Sequence, residues 1–373
     1  MENITVQLDE AYMQRAIALA KKGKFTTSPN PNVGCVLVKN GKVIGEGWHQ
    51  KAGEGHAEVN ALASATEDVK GATAYVTLEP CSHFGRTPPC AQGLINAEVS
   101  RVVIAMQDPN PLVSGNGVAM LEQAGIATTV GVLENAAKNL NPGFIKRMTN
   151  NLPLVRCKLA SSLDGRTAMA NGESKWITGA DARSDVQRFR AESCAIISGA
   201  DTVISDNAKL NVRYDELGYV QESLTQEQVR QPVRIIIDTK NRLTPDLAIF
   251  TSNSPIILVR VDLETEQQWP HFVEQMIVKV KNAQADLHDL LIKLAQRGLN
   301  TIWLESGARL AGAFLSENLV DELVLYQAPK IMGDNARGLF DLPQLTHLSD
   351  AISLEFNDVR MVGDDLRIIA KIN

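Results

Sequence analysis

His56-Ala57-Glu58, Thr77-Leu78-Glu79-Pro80-Cys81 and Pro88-Pro89-Cys90 form a split constellation in the first quarter of the chain. Each group stands where the pattern changes from one element to the next. Residues 56–65 predict a helix with Val59, Leu62 and Ala63 on its apolar stripe. Residues 73–78 predict a short apolar strand, with Glu79-Pro80-Cys81 at its carboxyl end, the place where ligands gather in open α/β sheets. Pro88 and Pro89 predict the start of another helix, with Cys90 in the first turn, where amide dipoles favour thiolate. Strand–turn–helix alternation of this kind predicts a three-layer α/β/α domain.

One imidazole and two thiolates supply three metal ligands, and a catalytic zinc keeps three protein ligands and a fourth position open to water. Two thiolates would leave the bound ion without net charge, still able to lower the pKa of its water to roughly 7. Glu58 is near enough to move that water's proton without binding the metal. The pattern H-x-E…P-C-x-x-C marks zinc deaminases; here eight residues, not two, separate Cys81 from Cys90. A structural zinc would want a fourth protein ligand, and Cys35 is the obvious candidate. It sits inside the apolar run 33–38, where a small buried thiol is the simpler reading. His49 and His83 are polar candidates for lining the pocket.

Outward from this core, Asp9 predicts the start of an amphipathic helix carrying Met13, Ala16, Ile17 and Ala20, with Gly23 as a left-handed stop. Ser28-Pro29-Asn30-Pro31-Asn32 is a rigid turn, either a plain turn or one whose amides read a heterocycle edge. Strand 33–38, the type I′ signal Asn40-Gly41 and strand 43–47 predict a hairpin. Beyond the cysteines come strand 101–106, helix 116–124, strand 127–132 and helix 134–148.

Near Asn150-Asn151-Leu152-Pro153 the pattern restarts, which places a domain boundary between residues 1–150 and 151–373. Strands are predicted at 154–160, 195–198, 233–238, 256–261, 277–280, 301–305 and 322–328, and helices at 181–192, 287–297 and 310–317. The stretch 215–231, rich in Gln and Glu, predicts a solvated excursion. The second domain is therefore also α/β. It holds no G-x-G-x-x-G after a strand, so a Rossmann dinucleotide site is unsupported. Gly307-Ala308-Arg309-Leu310-Ala311-Gly312 does follow a strand and open a helix, where free amides attract phosphate.

The chain has 373 residues, 44% hydrophobic and 21% charged, as expected of a globular protein with two domains. Its formal net charge of −6 gives no global attraction to nucleic acid or anionic membrane. No stretch approaches the ~20 apolar residues of a membrane span, and the first residues lack a secretory pattern. The expectation is a cytoplasmic protein without nucleic-acid or membrane partners. Five cysteines in so long a chain argue for core thiols and a metal pair over a disulfide framework.

The run from Thr77 to Cys90, including Ser82-His83-Phe84-Gly85-Arg86-Thr87, closely resembles the deaminase half of bacterial riboflavin-biosynthesis deaminase/reductases. The wide cysteine spacing is that family's own variation. The resemblance continues through Pro29–Gly34, Asp108-Pro109-Asn110-Pro111, Lys158–Arg166, Ser174-Lys175-Trp176-Ile177-Thr178 and Ala328-Pro329-Lys330. It implies a cytidine-deaminase-like domain followed by a dihydrofolate-reductase-like domain. It also implies a phosphorylated pyrimidine substrate, Zn2+ and NADPH as cofactors, and a homodimer. The first reaction would be zinc-hydroxide deamination of 2,5-diamino-6-(5-phosphoribosylamino)pyrimidin-4-one. The second would be NADPH reduction of the ribosyl side chain to ribityl.

On matched positions the resemblance implies Glu58 as the catalytic carboxylate and His56, Cys81 and Cys90 as ligands. Asn30, His49, His83, Arg86, Asp108 and Asn110 become deaminase substrate contacts, with Arg86 suited to the 5-phosphate because guanidinium clamps phosphate bidentately. In the second half it implies NADPH contacts at Ala160, Trp176, Thr202, Asp206 and the turn Gly307, Ala308, Arg309, Leu310, Ala311, Gly312 and Ala313. Ser174, Arg190, Leu210, Arg213 and Glu305 become reductase substrate contacts. Two rivals are a nucleic-acid or nucleoside deaminase with a regulatory second domain, and a pyrimidine-phosphate sensor with structural zinc. The acidic balance and Arg86 oppose the first; Glu58 opposes the second.

Overall fold

The computed structural model describes residues 2–82, 88–111, 113–264 and 266–372, which divide into two compact units, Met1–Asn151 and Leu152–Asn373. No helix among the described residues is long and apolar enough to cross a membrane.

In the first unit the elements run α1 (Glu2–Ala20), β1 (Gly34–Lys39), β2 (Lys42–Trp48), α2 (Ala57–Ala63), β3 (Thr73–Val76), α3 (Cys90–Asn96), β4 (Arg101–Ile104), α4 (Asn116–Gln123), β5 (Ala127–Val130), α5 (Glu134–Lys138) and α6 (Pro142–Asn150). The sheet order is β2-β1-β3-β4-β5. β1 pairs antiparallel with β2 and β3, and β3, β4 and β5 are parallel. Asn40 and Gly41 both have positive φ, 52° and 75°, as a type I′ turn requires. Val36, Leu37, Ala74, Val76, Val102 and Val103 are fully buried although neighbours point to opposite faces, because helices cover both sides.

Glycines on the strands set how near the helices come. A Cβ on Gly45 would lie 2.6 Å from the Ala61 carbonyl oxygen, and one on Gly47 2.3 Å from the Ala61 nitrogen. These two positions let α2 rest on bare backbone, which fixes the height of His56 and Glu58 above the sheet.

Three expectations for this unit are corrected. α1 begins at Glu2, not Asp9; the Asp9 carboxylate is buried and accepts from Tyr75 Oη (2.9 Å) and Arg101 Nη2 (2.7 Å). Gly23 is no left-handed stop but ends a 3-10 turn, and it is small because a Cβ would lie 2.7 Å from the His49 carbonyl oxygen. The helix expected over 134–148 is two, since Pro142 cannot continue α5 and instead starts α6.

The second unit runs β6 (Leu154–Ser162), β7 (Arg166–Ala168), α7 (Ala180–Glu192), β8 (Ala195–Gly199), α8 (Ala200–Asp206), β9 (Val233–Ile237), β10 (Ile256–Arg260), β11 (Val273–Ile277), the short pair β12 (Val280–Lys281) and β13 (Gln284–Ala285), α9 (Leu287–Gln296), β14 (Thr301–Glu305), α10 (Ala308–Ser316), β15 (Glu322–Ala328), β16 (Arg337–Gly338), β17 (Leu354–Val362) and β18 (Asp365–Ile372). Nine strands form one sheet, β11-β10-β9-β8-β14-β6-β15-β18-β17. It is parallel from β11 to β15, and the β17–β18 hairpin completes it antiparallel.

That hairpin and α8 were not anticipated. β17 leaves Phe356, Val359 and Met361 exposed, so it lacks the one-sided pattern that marks a strand in sequence. The strand expected at 277–280 is displaced: β11 ends at Ile277 and a separate short strand begins at Val280. The stretch 215–231 is anchored in the fold, with Leu217 and Val220 fully buried.

Candidate active sites

His56 is the N-cap of α2, held extended at φ −71° and ψ 168°, and Cys90 is the first residue of α3 after Pro89. Together with Cys81, beyond the end of β3, they converge. His56 Nδ1 lies 3.2 Å from Cys90 Sγ and 3.7 Å from Cys81 Sγ, and the Cys90 amide donates to Cys81 Sγ at 3.3 Å. All three ligand atoms lie within 4.8 Å of one another, the only such His/Cys/Asp/Glu group among the described residues. Zinc bond lengths of about 2.0–2.3 Å place the edges of a tetrahedron at roughly 3.5–3.8 Å, so this donor set fits a zinc ion. Cys35 is not in the group and is buried in the sheet.

The two thiols divide one charge. A hydrogen bond from Cys90, with help from His56, brings the Cys81 thiol down to about 4 despite its burial. The same hydrogen bond, with burial and the nearby Glu58 carboxylate, holds Cys90 protonated. Glu58 is buried in the first turn of α2, and that burial raises its carboxyl above the ordinary range.

Asn30 and His49 join this cluster. Asn30 Nδ2 lies 3.1 Å from His49 Nε2, His49 Nδ1 lies 3.1 Å from the Gly55 carbonyl, and the His49 ring stands edge-on to His56 at 5.5 Å. The turn's amides are otherwise engaged: Asn30 N donates to Thr27 O and Asn32 N to Asn141 Oδ1. The amides of Asn30 and Asn32 are therefore not available to a heterocycle. Asp108 and Asn110 follow β4, and Asp108 Oδ1 accepts the Asn110 amide at 2.8 Å. His83 and Arg86 lie outside the described residues.

In the second unit a cleft of about 750 Å³ opens beyond the carboxyl ends of β8 and β14. Thr202, Gly307, Ala308, Arg309 and Leu310 line it, with Arg242, Arg337, Phe340 and Asp341. Gly307 is the N-cap of α10, and a Cβ there would meet nothing within 4 Å. The Ser306 hydroxyl, also on the lining, is buried without a hydrogen-bond partner. A helix start with open space and an unpaired hydroxyl fits a dinucleotide phosphate. Ala311 and Gly312 belong to the packing: Ala311 is fully buried, and a Cβ on Gly312 would lie 2.3 Å from the Asp341 carbonyl oxygen. Ala160 on β6, Asp206 at the end of α8, Ala313 on α10 and the exposed Trp176 are not on the cleft lining.

Glu305 ends β14 immediately before this turn. Arg190 on α7 donates to it through Nε at 3.0 Å and through Nη2, and Trp303 Nε1 donates at 2.7 Å. Lys158 is its register partner on β6. Burial would raise the Glu305 carboxyl, but the Arg190 charge and hydrogen bonds, Lys158 and Trp303 together hold it at about 2. Burial in turn lowers the Lys158 ammonium, opposed by the Glu305 charge. Arg190 Nη1 reaches the Asn211 carbonyl at 2.9 Å, beside the buried Leu210. The Arg213 amide donates to Gln187 Oε1 at 3.0 Å, and its side chain pairs with Glu216. Ser174 is exposed and joins none of these contacts.

Residues 6–106 match the cytidine and deoxycytidylate deaminase zinc-binding region, and residues 153–368 match the RibD C-terminal domain. The riboflavin biosynthesis protein RibD of Haemophilus influenzae is 54% identical over 361 residues, 96% of each chain. The chain belongs to the RibD family. RibD of Escherichia coli is 51% identical, over 96% of this chain and 98% of its own. The solved Acinetobacter baumannii RibD (form 2) superposes with a TM-score of 0.90 at 43% identity, covering 99% of this chain and 100% of that one. The diaminohydroxyphosphoribosylaminopyrimidine deaminase/5-amino-6-(5-phosphoribosylamino)uracil reductase of Thermotoga maritima gives 0.86 at 34% identity, covering 99% and 100%. As a RibD protein the chain is a bifunctional enzyme of riboflavin biosynthesis, a zinc-dependent deaminase and an NADPH-dependent reductase. Its fold is a cytidine-deaminase-like domain followed by a dihydrofolate-reductase-like domain, and its substrates are small phosphorylated pyrimidines.

Sequence reasoning missed Arg242, Arg337, Phe340 and Asp341 on the cleft. Arg242 follows β9, whereas Arg337 on β16 stands with Phe340 and Asp341 much further along the chain, and neither stretch carries a local motif. It also left Glu79 without a role, although the residue stands inside the motif that opened the reading.

Proposed function

We propose that residues 1–150 deaminate 2,5-diamino-6-(5-phosphoribosylamino)pyrimidin-4-one and residues 151–373 reduce the resulting ribosylaminouracil to 5-amino-6-(5-phosphoribitylamino)uracil. The observation that carries the first half is a buried carboxylate, Glu58, beside a three-ligand cluster. His56, Cys81 and Cys90 hold zinc, which when bound supplies Lewis acidity and a fourth position open to water. Glu58 takes the proton of the attacking water and passes it to the ring nitrogen. It then helps protonate the leaving amine, so that a C–N bond is exchanged for C=O and ammonia departs. Asn30 and His49 orient the pyrimidine edge, and Asp108 and Asn110, in the loop after β4, are further contacts. Arg86 clamps the 5-phosphate through its guanidinium, and His83 is a further substrate contact.

In the second half NADPH, when bound, supplies the hydride. Thr202 and the helix start at Gly307–Leu310 hold its phosphates, and Arg242, Arg309 and Arg337 add positive charge along the cleft. Ala160, Trp176 and Asp206 border the cofactor; Ala311, Gly312 and Ala313 seat the helix behind it. Arg190 and Glu305, tied together beside that turn, present the substrate's ribosyl group with Leu210, Arg213 and Ser174. We further propose a cytoplasmic homodimer. The exposed Phe356, Val359 and Met361 of the edge strand β17 support self-association, because an apolar edge left in water invites pairing.

The test is a two-stage assay on the zinc-loaded chain. Ammonia should appear from the diaminopyrimidine phosphate without NADPH, and NADPH should then be oxidised in equal amount. NADPH oxidation with no prior ammonia release would overturn the order of steps.

A further inference from the structure

The Glu79 carboxylate is buried and accepts four backbone N–H groups from a single segment. Oε2 accepts Asp108 N at 3.1 Å and Gly115 N at 3.0 Å, and Oε1 accepts Gly117 N at 2.9 Å and Val118 N at 3.3 Å. The Glu79 amide in turn donates to the Met106 carbonyl at 3.0 Å. A Cβ on Gly117 would lie 2.1 Å from the Pro80 carbonyl oxygen, so the start of α4 rests directly on the peptide before Cys81. A short apolar strand end does not require a carboxylate here. The two oxygens of a carboxylate offer about four lone-pair sites, and here four amides of the loop that carries Asp108 and Asn110 donate to them.

We infer that Glu79 is a positioning residue of the deaminase: its carboxylate holds the amides of Asp108, Gly115, Gly117 and Val118, and so sets Asp108 and its neighbour Asn110 relative to the metal-binding strand end. This rests on the reading of Asp108 and Asn110 as substrate contacts. Glu79 is not in the metal-ligand group and acts through the loop. It joins the residue that precedes Pro80-Cys81 to the loop that grips the pyrimidine, so the two sides of the pocket keep one spacing.

The experiment compares the zinc-loaded full chain with Glu79→Gln, which preserves shape but turns an NH₂ toward two of the four amides. The deaminase KM should rise on the order of tenfold or more, the effect of leaving buried donors unpaired. Zinc content and the rate of reduction of the deaminated substrate should not change. On an Asn110→Ala background the same substitution should raise KM by less than about twofold, because both act through one contact. Unchanged KM, a fall in kcat or zinc with KM constant, or fully multiplicative effects would each overturn the inference. If Glu79→Gln is recovered unfolded, Glu79→Asp carries the same comparison with a smaller expected rise. Amide exchange on the unsubstituted chain needs no variant. Gly115 and Gly117 should exchange slowly, and exchange as fast as in an exposed loop would sink the clamp. Absence of ammonia release from the unsubstituted chain would instead remove the deaminase reading itself.

Discussion

Arg190 and Glu305 meet side-on, with Nε 3.0 Å from Oε1 and Nη2 against Oε2, and both side chains are about nine-tenths buried. One comes from α7 and the other from the end of β14, so the pair joins a helix to the strand that opens the dinucleotide turn. Arg190→Ala should lower reduction of the deaminated substrate by at least tenfold and leave ammonia release untouched. Assaying the two half-reactions separately on one preparation checks both.

The same pair sets a pH dependence. The Glu305 carboxyl is held at about 2 in the folded chain, below its unfolded value near 4.3. A depressed folded value contributes stability above the unfolded pKa, and that contribution is lost as pH falls from about 4.3 through about 2. Its size is on the order of 3 kcal/mol. Glu305→Gln should therefore melt well below the unsubstituted chain at pH 7, and the gap should close toward pH 2. A gap that stays constant over that window would contradict the assignment.

Glu58→Gln should keep zinc and lose ammonia release by roughly 10²–10⁴-fold, the range for removing a general acid–base group. Cys81→Ser and Cys90→Ser should instead lower the zinc content itself. Metal analysis beside turnover separates the two effects. Chelation of the unsubstituted chain should abolish deamination while the deaminated substrate is still reduced.

Two glycines five residues apart, one capping α10 and the other inside it, should behave oppositely. At Gly307 a methyl group enters open space at an ordinary φ of −73°, so Gly307→Ala should fold normally and weaken NADPH binding on the order of tenfold. At Gly312 the methyl would lie 2.3 Å from the Asp341 carbonyl oxygen, so Gly312→Ala should cost about 1–3 kcal/mol of stability. Fluorescence titration with NADPH and thermal melting read the two effects.

The exposed apolar residues of β17 should hold two copies together. Phe356→Glu combined with Met361→Glu should convert a dimer to a monomer in sedimentation without loss of ammonia release. A monomeric unsubstituted chain would remove the homodimer from the reading.

Much of the first site was legible because its residues sit at punctuation points. His56 caps a helix, Cys81 follows a strand and Cys90 starts a helix, and those boundaries are written in local patterns of apolar spacing, proline and glycine. The edges of the fold were less legible. Pro142 split a helix whose apolar spacing ran on unbroken, and β17 exposes the apolar residues that would mark it if buried.

The sequence by itself indicated most of the α/β elements, the residue types suited to a metal and the carboxylate beside them, since helix and strand periods and side-chain chemistry are local properties. Only the tertiary structure decided which distant groups meet. Asp9 became a buried partner of Tyr75 and Arg101 because α1 packs against the sheet that carries both, and Glu79 became a clamp because four amides of a remote loop turn toward one carboxylate. Arg242, after β9 of the large sheet, and Arg337, on β16 of the separate β7–β16 pair, came to one cleft although they stand far apart in the chain. Such meetings depend on the packing of the whole sheet, where burial demands a hydrogen-bond partner that no local pattern names.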